Sequence, residues 1–290
     1  AYFLAQAIHV LTGNLDRRGG VLVGKSLLDL PRMMKLAGLD AATESSRIGG
    51  FAPVMGTLPA TILPDEILTE GEGRIRALIV TAGNPALSCA NSKRMREALS
   101  KLELLVTVDL YRNETSECGH YALPGLDAFQ REDLPLPFLT FQPEPYLQWT
   151  DAVAKPFGEE RSEWAIFADL ARAMGTPFFG VPGLSRLLAG TRKLGALDPL
   201  TPQRAVDTML RLSGTSIAEL RKHPHGRLRA PNEPGSFLGK RVLTSDGLVD
   251  LAPPKLVAEL ATLDDKAREH DARTRGGRDL LLFSKREKTS

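Results

Sequence analysis

The sequence is short of cysteine, aromatic side chains, net charge and long apolar runs, and each shortage removes a class of protein. Its two cysteines, Cys89 and Cys118, stand far apart and fit no zinc or iron–sulfur spacing, so a thiolate metal centre built by this chain is not expected. A single disulfide between them is one reading. Two free thiols in a reducing compartment is the expected one, and a cytoplasmic location goes with it. Aromatic residues make up 6% of the chain, and they do not interleave with the basic stretches near 221–229 and 273–278. With a net charge of only +2, that argues against a nucleic-acid partner. No apolar run approaches the roughly 18 residues that a bilayer crossing needs, so membrane insertion is not expected. There is no Gly-x-Gly-x-x-Gly, no Walker loop and no defensible Ser–His–Asp, Cys–His or paired-carboxylate constellation.

What is present is ordinary globular composition, with 42% apolar and 25% charged residues, in a chain long enough for about two domains. Its organising stretch runs from Ile75 to Pro124. An apolar run, Ala77 to Val80, ends in Thr81-Ala82-Gly83-Asn84-Pro85. A helical stretch follows, with Met95, Leu99 and Leu102 on its inner face and Lys93, Arg94, Arg96 and Lys101 in water. A second apolar run, Leu104 to Val108, stops at Asp109. Strand, glycine turn, helix, strand and acid are the order of a dinucleotide-binding half-unit, which predicts an α/β, Rossmann-like sheet unit.

In such a unit Gly83 lets a phosphate approach the backbone, and helix N-terminal amides receive its charge. Asn84 offers an amide to a base edge or a phosphate, and Pro85 stiffens the turn. Asp109, at the carboxyl end of the second strand, accepts from ribose hydroxyls or a guanine edge, and Thr115 just beyond could donate to phosphate. A lone Gly-Asn-Pro is equally an ordinary turn, and an acid after a strand is often only a cap. Spacing alone leaves both readings open.

Around this unit the pattern predicts a helix over 2–11, with Leu4, Ala7, Ile8 and Leu11 on one face and Thr12-Gly13-Asn14 as its C-cap. Asp16-Arg17-Arg18-Gly19-Gly20 reads as a solvated charged loop, and 38–64 as a long excursion rich in Pro and Gly. Pro64 to Leu68 starts a short helix, with Asp65 and Glu66 favourable in its first turn. Residues 123–141 read as irregular surface. Ser162 caps a helix over 163–174 with a stripe of Trp164, Phe167, Leu170 and Ala171. Thr201-Pro202 opens another, with Val206, Met209 and Leu210 inward. The basic loop 221–227 carries His223 and His225, which read as exposed rather than as metal ligands. Residues 241–244 and 248–251 flank a Ser-Asp-Gly turn and read as a β-hairpin. Residues 255–270 form a last amphipathic helix, followed by a linker over 273–277. The second region is therefore mainly helical with one hairpin.

Together these motifs resemble the molybdopterin oxidoreductase family, which includes formate dehydrogenases, nitrate reductases and dimethyl sulfoxide reductases. The likeness rests on Leu11-Thr12-Gly13-Asn14 with Arg17 and Gly19-Gly20, on Gly83-Asn84-Pro85 and Val108-Asp109, and on Asn113-Glu114-Thr115 with Leu123-Pro124. Arg161-Ser162-Glu163-Trp164 through Met174-Gly175, and Leu281 to Lys285, extend it over nearly the whole chain. The resemblance implies a bis(molybdopterin guanine dinucleotide) cofactor carrying molybdenum or tungsten, with Gly83, Asn84, Pro85, Asp109, Thr115, Gly13 and Asn14 as cofactor contacts. It implies a small-molecule substrate, formate-dehydrogenase-like two-electron chemistry, and an electron-transfer subunit as a possible partner.

There are departures from the family pattern. The N-terminal cysteine cluster for a [4Fe–4S] centre, the region of the metal's protein ligand and most of the C-terminal domain are absent, so the chain reads as an internal portion of a longer parent, inactive alone. Gly119-His120 replaces the family's Ala-Asp pair, and His120 reads as a packed or loop-capping residue. The expected division is a dinucleotide-binding region over 1–140, a helical and hairpin region over 141–275, and the start of a truncated domain over 276–290. The competing reading is a cofactor-less structural electron-transfer subunit resembling the large iron–sulfur subunit of respiratory complex I.

Overall fold

In a computed structural model, the structure describes residues 2–25, 27, 44–53, 56–135, 142, 144–175 and 201–275. Two sequence expectations, the family-like stretch Leu281 to Lys285 and a domain starting at 276, lie outside the described residues. The first elements are α1 (Tyr2–Leu11), α2 (Leu63–Leu68), β1 (Ala77–Thr81), α3 (Pro85–Ser88), α4 (Ser92–Ser100), β2 (Leu104–Asp109) and β3 (Tyr121–Pro124). Then come β4 (Tyr146–Leu147), α5 (Glu163–Ala173), α6 (Pro202–Leu212), α7 (Ile217–Leu220), β5 (Arg227–Leu228), α8 (Pro254–Ala261) and α9 (Leu263–Arg275). The chain forms two compact units, Gly24–Pro231 and Ala1–Val23 with Asn232–Ser290. The boundary expected near 140 falls inside the first of these.

The sheet of the larger unit is parallel, in the order β1-β2-β3, with Ile79 opposite Val106 and Val108 opposite Leu123. Side chains alternate across a strand, so Leu78, Val80 and Leu105 fall on one face. Onto that face pack Ile67 from α2, Ala86 from α3, and Met95, Ala98 and Leu99 from α4. The α4 stripe has the three- and four-residue spacing of a helix face, as expected from the sequence. Its cap is Asn91, held at φ 56° with its side chain accepting from Arg94 N. Truncating the fully buried Leu99 to alanine would cost about 2–5 kcal/mol, because transfer and cavity terms add. A second core in this unit gathers Leu147, Trp149, Leu210, Ile217 and Leu220 beside the antiparallel pair β4–β5.

Several expectations need correction. The antiparallel pair joins Tyr146–Leu147 to Arg227–Leu228, not 241–244 to 248–251. There the Thr244 hydroxyl hydrogen-bonds Leu248 O at 2.7 Å and closes a local loop in place of a ladder. On α5 the deeply buried residue is Ile166, while Phe167 is exposed. The last amphipathic helix is two, broken at Thr262. In the smaller unit α1 forms as expected, but Leu4, Ile8 and Leu11 are exposed. In the loop after it Arg17 and Arg18 are exposed, as expected, and Asp16 is buried. Asp16 is 5% exposed; its carboxylate accepts from Ser236, Phe237 and Leu238 N, and its carbonyl from Gly235 N.

Candidate functional site

Parallel strands place their carboxyl ends on one edge, and loops leaving that edge are where an open α/β sheet offers ligand contacts. Here the edge collects the Ala82-Gly83-Asn84-Pro85 loop after β1, Asp109 and the 110–120 connection after β2, and Gly125 after β3. The first two loops are neighbours because β1 and β2 pair directly, and Ala82 N continues the ladder onto Val108 O at 2.9 Å. Ala82 turns the chain with φ 48°, a left-handed conformation that costs a non-glycine residue about 1 kcal/mol or more.

Gly83 does not itself have a positive φ, and a Cβ there would meet Thr81 O at 3.5 Å and Val80 Cγ1 at 3.7 Å, ordinary contacts. The fold therefore does not demand glycine at this position. Gly20 is the opposite case, since a Cβ there would lie 2.0 Å from Asn14 O. The helix expected directly behind the glycine turn is interrupted. α3 is four residues long and α4 begins only at Ser92, so the amides at the start of the long helix are not part of this loop. Two other donors are. Among the described residues the N–H groups of Gly83 and Asn84 have no acceptor, and Pro85 has none to offer.

The side chain of Asn84 is committed to the neighbouring loop. Its Nδ2 donates to Glu114 Oε2 at 2.5 Å, and its Oδ1 accepts from Thr115 Oγ1 at 2.8 Å. Thr115 is fully buried, and its oxygen also accepts from Ala86 N at 3.1 Å. Thr115 thus ties the two loops together and does not reach solvent to donate to a phosphate. Asn84 is placed to present its backbone more than its amide. The Asn84 hydrogen bond is the main influence holding the Glu114 carboxyl below the usual carboxylate range, with smaller help from its own backbone N–H and from Arg96.

Asp109 is half-buried. Its Oδ1 accepts from Leu110 N at 2.7 Å and its Oδ2 from Asn113 Nδ2 at 3.0 Å. A carboxylate has about four lone-pair sites, so Asp109 keeps acceptor capacity. Asn113 and Ser116 were missed as contributors to this edge. Asn113 Oδ1 caps Thr115 N and Ser116 N, and Ser116 Oγ bonds back to Asn113. The Asn-x-x-Ser spacing ahead of a short 3₁₀ turn is the signal that could have found them. His120 is exposed; it accepts from Leu105 N through Nδ1 at 3.0 Å and returns its own N–H to Leu105 O, so it caps a strand where a packed or loop-capping residue was expected.

Gly13 and Asn14 lie in the smaller unit. Gly13 ends α1 with φ 66°, and Asn14 Nδ2 donates to Thr12 Oγ1. Among the described residues no cluster of three or more His, Cys, Asp or Glu is arranged to hold a metal ion. Nor is any helix among them long and apolar enough to cross a membrane.

A strand-ordered carboxyl edge with a glycine loop on one side and an acid on the other is the layout in which open α/β sheets offer ligand contacts. The family model described as molybdopterin oxidoreductase matches residues 4–173, more than half of the chain. The chain belongs to the molybdopterin oxidoreductase family. A probable oxidoreductase of Bacillus subtilis is 31% identical over 111 residues, covering 38% of this chain and 16% of that protein. The thiosulfate reductase molybdopterin-containing subunit of Salmonella typhimurium is 24% identical over 58% of this chain and 24% of its own length. The F420-dependent formate dehydrogenase 1 subunit alpha of Methanococcus maripaludis is 25% identical over 68% of this chain and 28% of its own. Acetylene hydratase from Pelobacter acetylenicus superposes with a TM-score of 0.46 at 19% identity, covering 76% of this chain and 28% of that one. The chain spans less than a third of each of these proteins.

Proposed function

We propose that this chain is the guanine-dinucleotide-binding middle portion of a molybdenum- or tungsten-dependent oxidoreductase holding a bis(molybdopterin guanine dinucleotide) cofactor. The observation that carries the reading is the pairing of the unpartnered Gly83 and Asn84 N–H groups with the partly open Asp109 carboxylate on one sheet edge. Amide donors suit phosphate oxygens, and a carboxylate suits ribose hydroxyls or the donor edge of guanine. Gly83 leaves room for the approach, while Pro85 and Thr115 position the loop. Gly13 and Asn14 are further contacts by family likeness. The region over 1–140 would be the dinucleotide-binding part, followed by a mainly helical region over 141–275.

When bound, the cofactor supplies the two-electron chemistry, and the chain supplies binding, orientation and electrostatics. The parent would act on a small-molecule substrate, with formate-dehydrogenase-like transfer the preferred reaction class. An electron-transfer subunit is a natural partner, since matched relatives are themselves named as subunits. The segment alone would lack activity. The reading as a cofactor-less electron-transfer subunit rested on the replacement of an acid by His120, and the strand-capping bonds of His120 account for that residue locally.

The test is composition. The intact native protein, matured in a cofactor-competent host, should release oxidised pterin fluorescence and guanosine monophosphate in equal amounts, with molybdenum or tungsten at half that level. Absence of both pterin and metal would overturn the proposal.

A further inference from the structure

The two loops of the sheet edge are joined by a chain of hydrogen bonds that has a direction. Ala86 N–H donates to Thr115 Oγ1, the Thr115 hydroxyl donates to Asn84 Oδ1, and Asn84 Nδ2 donates to Glu114 Oε2. A hydroxyl can point either way, and an amide can be turned over with little change of shape. Nothing in Asn84 or Thr115 alone selects this arrangement. Ala86 N–H and the Glu114 carboxylate select it from the two ends. A carboxylate only accepts, so it draws Nδ2 toward itself and leaves Oδ1 facing Thr115. The Thr115 hydrogen is then used on Oδ1, and its lone pair meets Ala86 N–H. With Thr115 fully buried, the reversed order would take the Asn84 acceptor away from the buried hydroxyl hydrogen and set Oδ1 against the Glu114 carboxylate, which is costly inside a protein.

We propose that Glu114, as an anion, is the positioning residue of the dinucleotide-binding loop: by orienting Asn84 it fixes the backbone segment that presents the Gly83 and Asn84 N–H groups. The inference rests on the dinucleotide reading above and adds a role for a side chain that touches no ligand itself. Glu114 is half-buried at the sheet edge, 30 residues from Asn84 in sequence, and belongs to neither hydrophobic cluster. Its removal should therefore affect the loop's geometry far more than the core.

The experiment uses the intact protein matured with cofactor, and compares wild type with Glu114→Leu, Glu114→Gln and Gly83→Val. Pterin and metal content are read alongside the melting temperature of the cofactor-free form. Glu114→Leu should lower occupancy about tenfold or more, the loss of about one hydrogen bond to a charged group, with an unchanged apo melting temperature. Glu114→Gln retains an acceptor but not the charge that selects it, and should recover part of the occupancy. Wild-type occupancy in Glu114→Leu beside a loss in Gly83→Val would overturn the positioning role while leaving the dinucleotide site standing. Wild-type occupancy in all three would remove the site and the inference with it. A fall in apo stability that matches the fall in occupancy in Glu114→Leu, with Glu114→Gln normal in both, would mean that Glu114 is merely structural.

Discussion

Asp16 and Asp109 both stand in or beside loops, and both hold backbone N–H groups, but the fold fills them to different extents. Asp16 is buried and its carboxylate takes three backbone donors from a single loop, Ser236 to Leu238. Asp109 is half-buried and takes one backbone donor and one side-chain donor, both from residues just after it. The first carboxylate is close to saturated by the protein and works as a clamp. The second is oriented but not filled, which is what a ligand acceptor requires. Chemically identical side chains are told apart by how many of their lone pairs the fold already uses.

The largest effect is expected at Asp16. Asp16→Ala would strand the N–H groups it serves and should destabilise its unit by about 2–4 kcal/mol. Hydrogen exchange of the Ser236, Phe237 and Leu238 amides reads this locally, and unchanged protection would show that water replaces the clamp at no cost. Burial alone would raise the Asp16 carboxyl, but the Leu238, Phe237 and Ser236 N–H donors outweigh it and hold it below its ordinary value. Its contribution is therefore complete above about pH 4 and is lost as the pH falls through the lowered folded value. The stability gap between wild type and Asp16→Asn should close in that acid range and nowhere above it.

Asp109→Asn is the gentler probe. It keeps the shape and one acceptor, so thermal stability should move by less than about 1 kcal/mol, while cofactor content of the intact protein falls severalfold. A large loss of stability with normal cofactor content would place Asp109 with Asp16 as a structural carboxylate.

How much of this could be read from sequence follows the range of the interactions. β1, α4 and β2 were legible because their apolar spacing is local and their cores lie beneath adjacent elements. β3 was not, since Tyr121-Ala122-Leu123-Pro124 is four residues long, ends in proline and gains its place only by pairing with β2. The hairpin expected over 241–251 had the right turn residues, but a Thr244–Leu248 bond closes the loop without a ladder. Asp16 looked like a solvated loop residue because its partner loop lies some 220 residues away. At the site, Gly83, Asn84, Pro85 and Asp109 stood out by position. Which of their atoms are free depends on Glu114 and Thr115, and the pairings of Asn84 across 30 residues and more are invisible to local spacing.

On the proposed function, the Gly83 loop is kept open for a ligand and not for the fold. This is tested most directly by Gly83→Val in the intact protein, comparing cofactor content with the melting temperature of the cofactor-free form. Since a Cβ at Gly83 meets only ordinary contacts, the account expects cofactor content to fall at least tenfold with the apo melting temperature nearly unchanged. Full cofactor content in a normally folded variant would contradict it.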